Sequence, residues 1–248
     1  MTRNKIIENC KKLLIAYQEW KLWYMKMPED SNPWFSNDKK EACLCYFTLP
    51  MALNYQRNSY TLRESVLKTY LDSETKDVFD IKKSSEMKED NLRKKLLKHK
   101  IALQPNKHIK TWQKIAITIY NNRWTLSNML DTIDNDFLNL KEVIQHKYKS
   151  EFPYLSWPKI FNYRSFIIQV YWGITLLNSE FIDIAPDTHV TKCSVKLWII
   201  TQQESETLNK NEISKRWREL LHWTWITPIS MHSPLWFRSR NGFMFEFE

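Results

Sequence analysis

Glycine is almost missing from this chain, which holds two, Gly173 and Gly242, in 248 residues. Average usage would place roughly 17 in this length. The shortage leaves few residues able to take positive φ without steric cost, as helix C-termini and tight turns require. Cysteine is present but unpatterned. Cys10, Cys43, Cys45 and Cys193 form no CxxC pair and no Cys/His cluster at zinc or iron–sulfur spacing. No metal and no cofactor is therefore expected, and the thiols read as small hydrophobes in a reducing compartment. Long apolar runs are lacking too. The longest, Phe166 to Leu177, is broken by Gln169 and Gly173, well short of the roughly 18–20 apolar residues that cross a membrane. The amino-terminal MTRNKIIENCKK is charged throughout and has no apolar signal core, so the expectation is a soluble, cytoplasmic protein with no membrane partner. Period-two alternation, the mark of half-buried strands, is also missing.

What is present is a globular composition, 43% hydrophobic and 26% charged, with 37 Lys+Arg against 28 Asp+Glu. The resulting net charge of +9 points weakly to a polyanionic partner. Tryptophan is in surplus at 12 residues. Scarce glycine beside abundant tryptophan suggests that several tryptophans correspond to UGA codons that the source organism reads as glycine. The alternative is a genuine AT-biased composition.

Apolar residues recur at helical spacing over most of the chain, so the expected fold class is all-α. Ile6, Ile7, Cys10, Leu13, Leu14 and Tyr17 mark an opening helix that ends before Pro28. Ala42 to Gln56, with a break at Pro50, and Leu62 to Leu71 follow. A serine-capped helix is expected from Ser84 to Ile101, its lysine run between Lys94 and Lys100 forming a solvated face. Further helices are expected around Ile109 to Ile119, Thr125 to Ile133, Phe137 to Lys147, Lys159 to Leu177, Asp187 to Leu197 and Glu212 to His222, ahead of a Pro- and aromatic-rich tail. The helix from Lys159 is apolar nearly all round and reads as the buried centre.

The chemistry concentrates at Phe152 to Ile160, FPYLSWPKI, a tight hairpin that opens a helix with Pro158 in its first turn and Lys159 just after. Such a hairpin can aim backbone N–H groups and a positive helix end at a DNA phosphate. Ile184 to Val190, IAPDTHV, then places Asp187 at a helix N-terminus, 28 positions after Lys159. Taken alone, that aspartate is a helix cap. The hairpin ending in Pro158-Lys159, the long apolar helix and the Pro186-Asp187-Thr188-His189-Val190 turn together resemble the helix-hairpin-helix superfamily of base-excision DNA glycosylases. The separation is similar to that of the archaeal-type 8-oxoguanine DNA glycosylase branch and its uncharacterised bacterial relatives. Leu49 to Asp72 and Ile226 to Phe243 are also similar to those relatives, and the four C-terminal cysteines of cluster-bearing members are missing.

The resemblance implies one glycosylase-like unit over 1–248, made of two interleaved helical lobes around a cleft. Its hairpin motif spans about 137–177 and its catalytic aspartate helix 187–197. It implies a monomer that removes an oxidised base, 8-oxoguanine first, from double-stranded DNA at the nucleoid, with AP lyase activity. Lys159 would be the nucleophile that forms a Schiff base, and Asp187 would stabilise positive charge on the sugar and assist proton transfer. Ser156, Trp157 and Pro158 would meet DNA through the hairpin, and Arg164, His189 and Lys192 are candidate phosphate contacts whose alternative is plain surface charge. His232 and Trp236 could line a base pocket, with packing as the alternative for Trp236; Gln56 and Arg57 could wedge the duplex or read the orphan base. The relatives carry Leu-Ser-Gly-Pro-Lys where this chain has Leu155 to Lys159, which makes Trp157 a glycine candidate. Trp198, after Lys196-Leu197, and Trp223 and Trp225, around Thr224, occupy similar turn positions, whereas Trp112 and Trp236 read as true tryptophans. Two rival readings stay open: a DNA-binding module without chemistry, and a monofunctional glycosylase in which Asp187 activates water.

Overall fold

The computed structural model describes residues 1–22, 26–55, 57–122 and 124–247. Among these there is no named strand, and the protein is all-α, with thirteen α-helices. No helix is long and apolar enough to cross a membrane among the described residues. The chain divides into two compact units, one made of both ends, 1–26 and 178–248, and one contiguous over 27–177.

The contiguous unit holds α2 (Lys40–Thr48), α3 (Ser59–Leu71), α4 (Ile81–Glu86), α5 (Glu89–Lys98), α6 (Pro105–Asn121), α7 (Leu126–Thr132), α8 (Phe137–Lys141) and α9 (Pro158–Trp172). Pro50 ends the second helical stretch as expected, and a 3-10 turn from Pro50 to Leu53 replaces its second half. The helix expected over Ser84 to Ile101 is two helices. Asp80 caps the first by accepting from Lys83 N, and the chain then turns to extended φ/ψ at Met87. Gln113 Nε2 holds the Met87 carbonyl at 2.8 Å, while Glu89 and Asp90 supply acid to the first turn of α5, where a fresh N-terminus is favoured. Ser84 is therefore no cap; its hydroxyl lies inside α4 and accepts the Trp112 indole N–H at 3.1 Å. The apolar helix is also shorter than expected. Gly173, at φ +68, closes α9 in the left-handed region, and Leu177 exchanges backbone hydrogen bonds with Asn135 and Phe137 instead of continuing the helix.

A buried carboxylate organises this unit. Glu29 is fully buried and receives Arg63 Nε at 3.3 Å and the Tyr163 hydroxyl at 2.9 Å. The next residue, Asp30, accepts from the Tyr171 hydroxyl at 2.8 Å, and the Tyr46 hydroxyl donates to Ser31 O at 2.7 Å. Segment 27–32 is thus tied to α2, α3 and α9. Burial and the neighbouring Glu29 charge raise the Tyr163 phenol well above its ordinary pKa, which keeps it a neutral donor.

The unit built from both chain ends holds α1 (Arg3–Gln18), α10 (Thr188–Lys196), α11 (Gln202–Thr207), α12 (Lys210–Leu221) and α13 (His232–Arg240). Thr2 caps α1, whose Ile6, Cys10, Leu13 and Leu14 are buried. Arg3 donates to Leu220 O at 3.0 Å and His222 O at 2.6 Å, which satisfies carbonyls at the end of α12. The aromatic tail is no appendage: it folds into α13, where Leu235 and Phe237 are fully buried and Trp236 nearly so. All four cysteines are buried and unpaired, and burial pushes the Cys10, Cys43 and Cys193 thiols up to about 12.

Removing the cation from the buried Glu29–Arg63 pair strands a carboxylate, a loss of about 3–5 kcal/mol. Arg63→Met should lower the urea unfolding free energy by that amount, and the double change with Glu29→Gln should recover part of it.

Candidate nucleic-acid interface

After α8 the chain widens into a π-helical turn over Glu142–Lys147, followed by a 3-10 turn over Lys149–Glu151 and the hairpin that opens α9. The hairpin spends its own donors. Leu155 N bonds to Pro153 O, Ser156 N to Phe152 O and Trp157 N to Tyr154 O, while Gln145 Nε2 donates to Ser156 O at 3.0 Å. The amides of the hairpin itself are therefore not the phosphate donors expected from the sequence, and the Ser156 side chain is buried. The open donors lie one step later. Trp157 is the N-cap of α9 and gives no side-chain cap. Pro158 has no N–H, so the Lys159 and Ile160 amides are left without helical acceptors at the positive end of a 15-residue helix.

Lys159 is exposed and has no hydrogen-bond or ion-pair partner among the described residues. Beside the hairpin opens a hollow of about 590 Å³ lined by His146, Lys147, Lys149, Tyr154, Ser156 and Trp157, with no carboxylate in its wall. Glu151, the nearest acid in sequence, is paired with Lys114 at 3.4 Å. Tyr154 takes φ +61 and packs against Trp157 and Tyr55, with ring centroids 4.8 and 5.8 Å apart. Lys107 Nζ stands 5.0 Å over Tyr154 and 6.0 Å over Tyr55. Sequence reasoning missed Tyr55, Tyr154 and Lys107; the Tyr within FPYL was the available signal. Trp157 sits at φ −70, ψ 133, an extended conformation open to any residue, so the backbone makes no demand for glycine there.

Arg164 is a correction. It is fully buried, its Nε donates to Thr48 Oγ1 at 3.1 Å, and burial brings its pKa down to about 10. It can meet no phosphate. Its spacing from Ile160, Phe161 and Ile168 already put it on the buried stripe of α9. Arg57 is committed to structure, donating to Ile101 O at 2.5 Å and Lys100 O at 3.2 Å, and Gln56 lies outside the described residues.

In the unit of both chain ends, Asp187 is the N-cap of α10. Its Oδ1 accepts from Val190 N at 2.8 Å, and its carbonyl accepts the Thr191 hydroxyl at 2.6 Å. The second carboxylate oxygen has no protein partner among the described residues. His189 contacts Ser239 Oγ at 3.2 Å and the Trp236 ring edge-on at 5.6 Å. Burial lowers its pKa, partly offset by Asp187. Lys192 is exposed, whereas His232 and Trp236 are core residues of α13.

No family model, curated protein or solved structure matches the chain. The geometry therefore stands by itself: an uncapped helix N-terminus with a free, exposed lysine in its first turn, and separately a half-buried aspartate with one oxygen unused. Among the described residues no three His, Cys, Asp or Glu side chains converge as metal ligands.

Near the hairpin's aromatic group, His108 accepts from Leu103 N at 3.1 Å and is held neutral. Burial, then Arg57 and Lys107, push its pKa from 6.5 down to about 4. A depressed folded-state pKa contributes stability that is complete above the unfolded value and lost as pH falls through the folded one. Between pH 6.5 and 4 the unfolding equilibrium should therefore gain up to about tenfold per pH unit from this group. His108→Asn should flatten that part of the urea-midpoint profile.

Proposed function

We propose that this protein is a base-excision DNA glycosylase with AP lyase activity on an oxidised base in double-stranded DNA, 8-oxoguanine being the first substrate to try. The observation that carries the reading is the α9 N-terminus. Its unfilled amides, positive dipole end and unpartnered Lys159 follow directly on Trp157, which lines a carboxylate-free hollow with His146, Lys147 and Lys149, the chemistry that receives a phosphodiester and leaves an amine beside it. The resemblance of Leu155 to Lys159 and Pro186 to Val190 to the helix-hairpin-helix glycosylases supplies the reaction class.

The target nucleotide leaves the stack so that side chains can reach its C1′ carbon. The Lys159 Nζ lone pair bonds to C1′ as the C1′–N bond breaks, and the base departs with that electron pair and takes up a proton. Loss of a proton from the new C–N nitrogen and opening of the sugar, whose ring oxygen becomes a hydroxyl, gives a protonated imine. β-Elimination then removes a C2′ proton and expels the 3′-phosphate. Asp187 stabilises the positive charge developing on the sugar and accepts protons, using the oxygen that does not cap α10.

A second reading, DNA binding without chemistry, is favoured by one observation, the engagement of Asp187 as an N-cap. The two readings separate in solution. Borohydride added to the protein and an 8-oxoguanine duplex should reduce the imine and leave a covalent protein–DNA adduct, and Lys159→Gln should abolish it. Neither adduct nor base release with wild-type protein on any oxidised-base duplex would support the binding module, and base release without adduct would support Asp187-activated water.

Asn caps helices as well as Asp. Asp187→Asn should therefore keep the urea midpoint and keep DNA affinity within a few fold, while turnover drops by about two to four orders of magnitude. Equal losses of midpoint and turnover would mark Asp187 as structural only.

A further inference from the structure

Both glycines of the chain sit at φ +68 at helix ends. At Gly242 the N–H bonds to Ser239 O and the following Phe243 N–H to Arg238 O, the paired closure of a Schellman motif. Two tryptophans repeat that geometry. After α1, Trp20 N bonds to Tyr17 O and Lys21 N to Ala16 O; after α10, Trp198 N bonds to Val195 O and Ile199 N to Ser194 O. Trp20 has φ +63 and Trp198 φ +62. A third, Trp223 at φ +66, is the third residue of a tight turn. His222 before it lies at φ −55, ψ 135, and Thr224 N closes on Leu221 O at 2.9 Å. That is a type II turn, whose third residue needs positive φ and is ordinarily glycine. A fourth, Trp34 at φ +48, follows Pro33 and donates its N–H to Asn32 Oδ1 at 2.8 Å.

Four tryptophans in the left-handed region stand against six left-handed residues among all other non-glycine types described, three of those six being Asp or Asn. The side chains agree with the backbone. Trp20, Trp34, Trp198 and Trp223 are 68%, 76%, 69% and 90% exposed, whereas Trp112, Trp217 and Trp236 are buried. The buried Trp112 and Trp217 indoles have partners, Trp112 donating to Val78 O and Ser84 Oγ and Trp217 to Ser194 Oγ. Indoles that close helices in a conformation costly to any Cβ, and that bury little of their own surface, occupy positions suited to a residue with no side chain.

We infer that residues 20, 34, 198 and 223 are glycine in the protein as its own cells make it, each encoded by UGA, with tryptophan appearing only under a code that reads UGA as tryptophan. Residues 112, 217 and 236 are tryptophan under either code. The inference stands apart from the glycosylase reading. It extends to positions 20 and 34, which no motif indicated, and at 157 and 225 the backbone adds nothing to it.

The gene is the first test: UGA at codons 20, 34, 198 and 223 with UGG at 112, 217 and 236 is the expected result, and UGG at all seven overturns the inference. The protein is the second. The full chain carrying Trp20→Gly, Trp34→Gly, Trp198→Gly and Trp223→Gly should unfold at higher urea than the tryptophan form, its folding equilibrium favoured by about five- to tenfold per site. Trp112→Gly and Trp217→Gly should each lower the midpoint. A fourfold variant less stable than the tryptophan form would show that the surface indoles belong to the native protein.

Discussion

Glu29 sets the terms for the contiguous unit, because a carboxylate with no access to water must be compensated by neighbours that arrive in fixed places. Arg63 comes from the first half of α3 and Tyr163 from the first half of α9, and Arg63 also lies 5.3 Å over the Phe47 ring of α2. Three helices distant in sequence are thereby positioned on one short segment. The rotation of α9 about its own axis follows from the Tyr163 hydroxyl reaching Glu29 while Tyr171, two turns on, reaches Asp30. With that rotation set, Arg164 turns inward and Lys159 outward. The exposure of the lysine at the helix start is thus a consequence of a buried ionic contact further along the same helix.

The hairpin before α9 shows a division of labour between backbone groups. Its internal amides hold its own shape, with Gln145 closing the Ser156 carbonyl, and the amides left over are those of the helix it opens. A loop whose donors are already satisfied arrives rigid, so an anion meeting the Lys159 and Ile160 amides need not order the chain first. The π-helical turn upstream brings His146 and Lys147 to the hollow that Tyr154, Ser156 and Trp157 of the hairpin also line.

Much of this was legible in the residues. The 3.6-residue stripes of α1 and α6 named buried positions, since Ile6, Cys10, Ile109 and Ile119 are all core. Boundaries set by tertiary contacts were less legible. The break after Glu86 depends on a glutamine 27 residues away, Gln113, and periodicity carries no trace of that bond. The tail misled because proline and aromatic content reads as loop, whereas Pro234 falls in the first turn of α13 where its missing N–H costs nothing. Charge misled at Arg164, since a cation on an apolar stripe reads as a surface group unless its spacing is weighed above its type. Asp187 was legible as a cap from local sequence, and the cap is present; what else its carboxylate does lies in chemistry that local spacing does not encode.

The unit assembled from residues 1–26 and 178–248 imposes an order on synthesis. α1 is made well before the groups that cover it, Phe237 against Tyr17 and the α12 carbonyls held by Arg3. At roughly 5–20 residues per second the interval is on the order of ten seconds. Over that interval the Ile6, Cys10, Leu13 and Leu14 face of α1 lacks α12 and α13, the helices of its own unit that pack on α1. Residues 1–26 can therefore complete the packing of their own unit only after the whole of segment 27–177 and the residues beyond it have been made.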